Sequence, residues 1–233
     1  MIGGMTLMGG QDTIECVTGA AAKTTGISPT FLGLLAAEPL AGLSVLDVGT
    51  GWGRLALELA PRCRRIVGID RERSLIEDAR RRAAAAGMAN AEFVVADAEA
   101  CEYQTFTPDM VVAHLCMSDA IIERAGRALA PGRLFGFVAF EAEQWRETGR
   151  RSRFSYDEAR ARALLDANGF AVEHLEVDRD TRRYDSVEAA LAAVVGLEDK
   201  WRSDGRWFRY IKFLEEGGRT LTRSHLIVKA RRR

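Results

Sequence analysis

Asp47, Asp70, Asp97 and His114 are the residues of this sequence whose type and placement could do chemistry, and the turn Gly49-Thr50-Gly51-Trp52-Gly53 lies among them. Glycines at alternate positions let a backbone bend tightly and approach a ligand with no Cβ in the way. Carboxylates accept strong, charge-assisted hydrogen bonds from hydroxyl and ammonium groups. A histidine can take up or release a proton near neutral pH. Together these residues read as a binding turn ringed by acceptors, with a titratable ring at the end of a nearby apolar run.

Each of them sits at the end of an apolar run. "LSVLDV" reads as a buried strand, "RRIVGI" as a second ending at Asp70, "EFVVA" as a third ending at Asp97, and "DMVVAHL" as a fourth ending at His114. "RLFGFVAF", "FAVEHLEV" and "LTRSHLIVKA" supply three more. Helices are predicted between them. "SPTFLGLLAAEPL" is capped by Ser28, has Pro29 in its first turn and stops at Pro39; "WGRLALELA" stops at Pro61; "RERSLIEDARRRAAAAG" closes at Gly87. "SDAIIERAGRAL" follows the fourth strand, and "SYDEARARALLDANG" carries a capping box of Ser155 and Glu158 and closes at Asn168-Gly169. Two late helices, "SVEAALAAVVGLEDKW" and "GRWFRYIKFLEEGG", precede the last strand. Strands alternating with helices make an α/β, doubly wound, mostly parallel seven-stranded sheet with helices on both faces. Two helices interrupt the alternation before the last strand, which is expected to run antiparallel. Residues 1–233 read as a single domain, with a Gly- and Thr-rich arm over 1–25 and a helical insertion over 178–220.

Composition narrows the function. The formal net charge is zero over 33 basic and 33 acidic residues, which argues against a general grip on nucleic acid. From Lys200 to Arg233 there are eleven Lys/Arg and three Asp/Glu; this reads first as a solvated basic tail and second as a local anion site. Cys16, Cys63, Cys101 and Cys116 have no Cys-x-x-Cys spacing and the histidines are far apart, so neither a metal site nor a disulfide framework is expected. No stretch approaches the ~18 apolar residues of a membrane span, and the amino-terminal segment does not read as a signal peptide. A cytoplasmic monomer or homodimer is the expectation. For the glycine turn, a P-loop would need a following Lys, which is absent. A dinucleotide fingerprint would put its third glycine one residue later, where Arg54 stands. An acid about 20 residues downstream, Asp70, fits a ribose in either case.

Asp47-Val48-Gly49-Thr50-Gly51-Trp52-Gly53 resembles the first motif of class I S-adenosylmethionine-dependent methyltransferases, and the resemblance continues through "VGID", "VVADAEA", "PDMVVAHL" and "RALAPGRLFGFV" over roughly residues 40–140. It implies a Rossmann-like sheet and S-adenosylmethionine as cofactor. It further implies that Asp47, Gly49, Thr50 and Gly51 serve the methionine end, that Asp70 holds the ribose hydroxyls, and that Arg71, Asp97 and Ala98 meet the adenine. Where amino-directed relatives acting on bases or amides carry Asn/Asp-Pro-Pro-Tyr, this chain has His114-Leu115-Cys116-Met117, a departure that argues against such acceptors and leaves His114 open as a base or a packing residue. The resemblance also implies that the arm and the late helices roof an acceptor pocket. Trp201, Trp207, Phe208 and Tyr210 would then line an apolar cavity, with Arg202, Arg206 and Arg209 meeting an anionic group; the alternative is that Trp207, Tyr210, Ile211 and Leu214 form an ordinary core stripe. The expected activity is methyl transfer to a small-molecule acceptor, anionic or aromatic. The alternatives are an RNA or protein methyltransferase using the basic C-terminal segment, and a cofactor-binding protein without turnover.

Overall fold

The computed structural model describes residues 26–152 and 154–233; the arm expected over 1–25 lies outside them. Strands β1 (Ser44–Val48), β2 (Arg65–Asp70), β3 (Ala91–Val95), β4 (Met110–His114) and β5 (Leu134–Glu141) pair in parallel in the order β3-β2-β1-β4-β5. Helices α1 (Pro29–Ala36), α2 (Arg54–Leu59), α3 (Arg73–Ala85) and α4 (Asp119–Ala128) flank them. The chain then adds β6 (Ser155–Tyr156), α5 (Glu158–Ala167), β7 (Phe170–Arg183), three helices, α6 (Val187–Ala192), α7 (Glu198–Asp204) and α8 (Arg206–Glu215), and finally β8 (Thr220–Arg232). β8 inserts between β5 and β7 and runs against both, as the break in alternation predicts.

Successive strand residues face opposite sides, so this sheet needs apolar cover twice. One core gathers Leu46, Val48, Val111, Ile122, Phe135 and Phe170; the other gathers Val45, Phe31, Leu35, Leu55, Ile76 and Val112. The strand order reverses between β1 and β4, which leaves a crevice beyond their carboxyl ends, where ligands of such sheets bind. Among the described residues, no helix is long and apolar enough to cross a membrane.

Four local expectations are corrected. Ser155 is not a helix cap: it lies in β6 beside Phe140, and Asp157 caps α5 by accepting the Arg160 N–H at 2.8 Å. The sixth strand does not stop near Val177; it runs to Arg183, held by β8 along a ladder that ends at Arg183 and Thr220. The first late helix is broken into α6, a 3-10 turn over Val195–Leu197, and α7. The basic tail is not solvated chain. Arg231 and Arg232 belong to β8; Arg231 pairs with Glu38 and Glu173, Arg232 donates to the carbonyls of Gly126 and Gly169, and Arg233 pairs with Asp166.

The late helices form a third apolar cluster. Trp145, Val194, Trp201, Trp207, Tyr210 and Leu214 are buried together, and the Trp201 ring meets Trp145 and Tyr210 edge-on at 5.2 and 5.6 Å. The stripe at helical spacing is therefore core.

Candidate functional site

β1 ends at Val48 and the chain turns at once through Gly49 and Gly51, both with positive φ. A Cβ on Gly49 would lie 2.2 Å from the Cys116 Sγ, so only glycine fits beneath the segment that leaves β4. Gly68 faces Asp47 in the sheet register, and a Cβ there would come within 2.7 Å of both Phe93 and Thr50 Oγ1. That missing side chain leaves room for Thr50, whose hydroxyl donates to Asp47 Oδ2 at 2.6 Å and whose N–H donates to the Ile69 carbonyl at 2.9 Å. Asp47 is 1 % exposed. Burial pushes its carboxyl up to about 7, against the opposing hydrogen bonds from Thr50 and the Ala56 backbone.

At the tip of β2, Asp70 Oδ2 accepts the Gly51 N–H at 3.0 Å and Oδ1 accepts the Glu72 N–H at 2.9 Å. Each oxygen keeps a lone pair for a ligand hydroxyl. After β3, Asp97 Oδ1 accepts the Glu99 N–H at 2.8 Å. The loop that follows is pinned from below. Buried Tyr103 donates to the Ala98 carbonyl at 2.7 Å, and Arg124 donates to the carbonyls of Glu99 and Cys101 and pairs with Glu102.

These tips open onto two chambers that share Gly49. The larger, about 280 Å³, is lined by Asp70, Arg71, Asp97 and Ala98 together with Met117, Ser118, Phe140, Phe154 and Lys200. The smaller, about 150 Å³, is lined by Asp47, Thr50, Gly51, Trp52, Arg54 and His114. His114 thus lies with the glycine turn and not in the larger chamber. Its ring is 6.4 Å from that of Phe31, and burial, helped by the charge of Arg54, lowers its pKa to about 4. It is neutral at physiological pH. Among the described residues, no group of three or more His, Cys, Asp or Glu could hold a metal ion.

The chambers therefore bring together Asp47, Gly49, Thr50, Gly51, Asp70, Arg71, Asp97, Ala98 and His114. They leave out the expected roof. Trp201, Trp207 and Tyr210 are buried in their own cluster, Phe208 is exposed, Arg202 pairs with Glu198 and Arg206 with Asp204, and only Lys200 of the late helices lines the larger chamber. Sequence reasoning named Cys116 and Met117 after the fourth strand but gave them no place in the site, and it passed over Phe140 near the end of the fifth. Leu115, with φ +59, bends the chain after β4 and carries Cys116 over Gly49; no motif signals that bend. Phe154 and Lys200 come from segments far along the chain and leave no local trace.

Residues 45–132 match the family model of a methyltransferase domain. The YcgJ protein of Bacillus subtilis superposes with a TM-score of 0.67 at 19 % identity, covering 88 % of this chain and 98 % of that one. An S-adenosylmethionine-dependent methyltransferase of Mesorhizobium loti gives 0.57 at 18 %, covering 88 % and 96 %. The magnesium protoporphyrin IX methyltransferase of Synechocystis PCC 6803, solved with bound S-adenosylhomocysteine, gives 0.60 at 18 %, covering 88 % and 80 %. At these identities the structural likeness speaks for the fold, and the domain match speaks for the chemistry.

Proposed function

We propose that this chain is a class I S-adenosylmethionine-dependent methyltransferase and that it methylates a small-molecule acceptor in the larger chamber, with the cofactor spanning both chambers. The donor set fits that nucleoside. Asp70 would accept from the ribose hydroxyls, Asp97 and the Ala98 backbone would meet the adenine edge, and the flat Arg71 guanidinium would lie against its ring. Gly49 and Gly51 would admit the backbone to the methionine end, where Asp47 faces an ammonium and Arg54 a carboxylate. The space a Cβ would take at Gly51 is open, which supports close approach there.

When bound, S-adenosylmethionine supplies a methyl group on a cationic sulfur with a good leaving group. The protein's share is then mostly alignment and exclusion of water, because in-line displacement gains most from holding the reactants together. His114 is retained in this reading as a neutral hydrogen-bonding group beside the turn. A ring held near 4 is too weak a base to take most acceptor protons at neutral pH, so this reading gives His114 no proton transfer.

The observation that carries the reading is that Asp70 and Asp97, from separate strand tips, line one cavity with Gly49. A small acceptor is favoured over RNA because the basic residues of the late segment are largely matched by acids of this chain: Arg202, Arg206, Lys212, Arg223, Lys229, Arg231 and Arg233 are all ion-paired. The test is calorimetric titration with S-adenosylhomocysteine and, separately, NAD. Wild type should bind the first and not the second, and Asp70→Ala should lose about thirtyfold or more in affinity. Unchanged affinity in that variant would overturn the assignment.

A further inference from the structure

The rest of the larger chamber's lining, beyond Asp70 and Asp97, has its own chemistry. Met117, Ile121, Phe140 and Phe154 make it apolar, and Lys200 is the cation among them. Its neighbours in the late segment are engaged: Arg202 by Glu198, Arg206 by Asp204, Lys212 by Glu216, Arg219 by the carbonyls of Leu214 and Gly218. Among the described residues Lys200 has no ion pair and no side-chain hydrogen bond, although Glu99 lines the same chamber.

A second polar group there is also without a partner. Ser118 occupies the N-cap position of α4, yet its side chain makes no capping bond. The residue is 8 % exposed, it lines the chamber, and its buried Oγ has no hydrogen-bond partner among the described residues. Buried hydroxyls without partners are uncommon, because losing water without replacement destabilises the fold. The N-terminus of this ten-residue helix adds unpaired N–H groups and a partial positive charge. The acid at its first position does not cancel that charge: Asp119 is taken up by Arg160, at 2.8 and 3.0 Å, and by the Tyr156 hydroxyl at 2.8 Å.

We propose that the acceptor is an aromatic carboxylate, with its carboxylate received by the Lys200 ammonium and the Ser118 hydroxyl at the start of α4 and its ring held against Phe140 and Phe154. This rests on the methyltransferase reading only in calling the ligand an acceptor; the subsite itself is built from residues outside the proposed cofactor set. It also replaces Arg202, Arg206 and Arg209, expected from sequence to meet an anion, with Lys200.

The probes are naphthoate and its uncharged isostere naphthalenemethanol, titrated into the full-length protein with and without saturating S-adenosylhomocysteine. Wild type should prefer naphthoate by about five- to tenfold at low salt, the range of a partly exposed ion pair with a supporting hydrogen bond. Lys200→Ala should abolish the preference, Lys200→Arg should retain it, and Ser118→Ala should reduce it. Lys212→Ala, a surface cation of the same segment, should leave it unchanged. Equal affinity for the two probes, no naphthoate binding, or a preference that survives Lys200→Ala overturns the proposal. Failure of wild type to bind S-adenosylhomocysteine overturns the cofactor assignment instead, and the naphthoate comparison still decides the subsite.

Discussion

Replacing Asp47 with Asn separates what the buried acid costs the fold from what it does for the ligand. Asp47 has a carboxyl displaced from 3.8 to about 7, with burial as the leading cause. Between those values the unfolded chain carries an ionised Asp47 while the folded chain keeps its proton. Folding therefore takes up a proton, and wild-type stability falls as pH rises, by about 1.4 kcal/mol per pH unit. Above about 7 both states are ionised and the loss is complete. An Asn does not titrate, and its amide can keep the contacts, accepting from the Ala56 N–H while Thr50 Oγ1 turns to accept. The stability of Asp47→Asn relative to wild type should thus increase by about 2 kcal/mol between about pH 5.5 and about pH 8.5, because roughly one and a half units of that interval lie below the folded-state value. Urea unfolding of both proteins at the two pH values measures this as a difference of differences, so the packing cost of the substitution cancels. At about pH 8.5 the same variant should bind S-adenosylhomocysteine about tenfold more weakly, since a neutral amide replaces the carboxylate proposed to face the ligand's ammonium. A relative stability that does not change with pH would refute the reasoning, because Asp47 would then be ionised in the fold at both values.

Three further outcomes follow from the geometry. Gly49→Ala should destabilise the protein by about 3 kcal/mol, part from the positive φ and part from collision with Cys116; adding Cys116→Gly should recover the collision part alone, read from a double-mutant cycle in urea. Trp201→Ala should cost about 3–5 kcal/mol, with the loss of amide protection on hydrogen exchange concentrated in α6–α8, where Trp201 centres the third cluster. His225 is 8 % exposed and its pKa is lowered to about 4, chiefly by burial. The unfolded chain then binds the proton first as pH falls below about 6.5, and stability drops until about 4; His225→Gln should flatten the urea-derived slope in that window by about 1.4 kcal/mol per pH unit, opposite in sign to the effect of Asp47.

The sheet was legible because its parallel strands are buried on both faces and so read as continuous apolar runs. "SVLDV" and "MVVAH" leave little else for those residues to be. The outer strands were legible only in part. "DRDTRR", at the end of β7, alternates charge with charge, since it continues a ladder beyond the covered core, and such a run looks like a loop. Ser155 and Glu158 have the spacing of a capping box, but pairing to the end of β5 outcompetes the cap and moves it to Asp157. The strand-tip acids were readable because each follows an apolar run. The rest of the lining was not: Phe154 and Lys200 reach the chamber only through the tertiary path of the chain, and the charge run around Lys200 gives no hint which cation lacks a partner. That depends on where Glu198, Asp204 and Glu216 fall.

An interior strand that comes last in sequence has a consequence for how this molecule is made. As a nascent polypeptide emerges from the ribosome, β5 and β7 stand as two bare edges until residues 220–232 arrive to bridge them. Phe140, on the chamber wall, pairs with His225 of that latecomer, so this wall takes its final form only once β8 has been made. A chain stopped short of β8 would keep Asp47 in β1, Asp70 at the end of β2 and Asp97 just after β3 but would present unzipped backbone to its neighbours, which makes prematurely terminated forms candidates for aggregation.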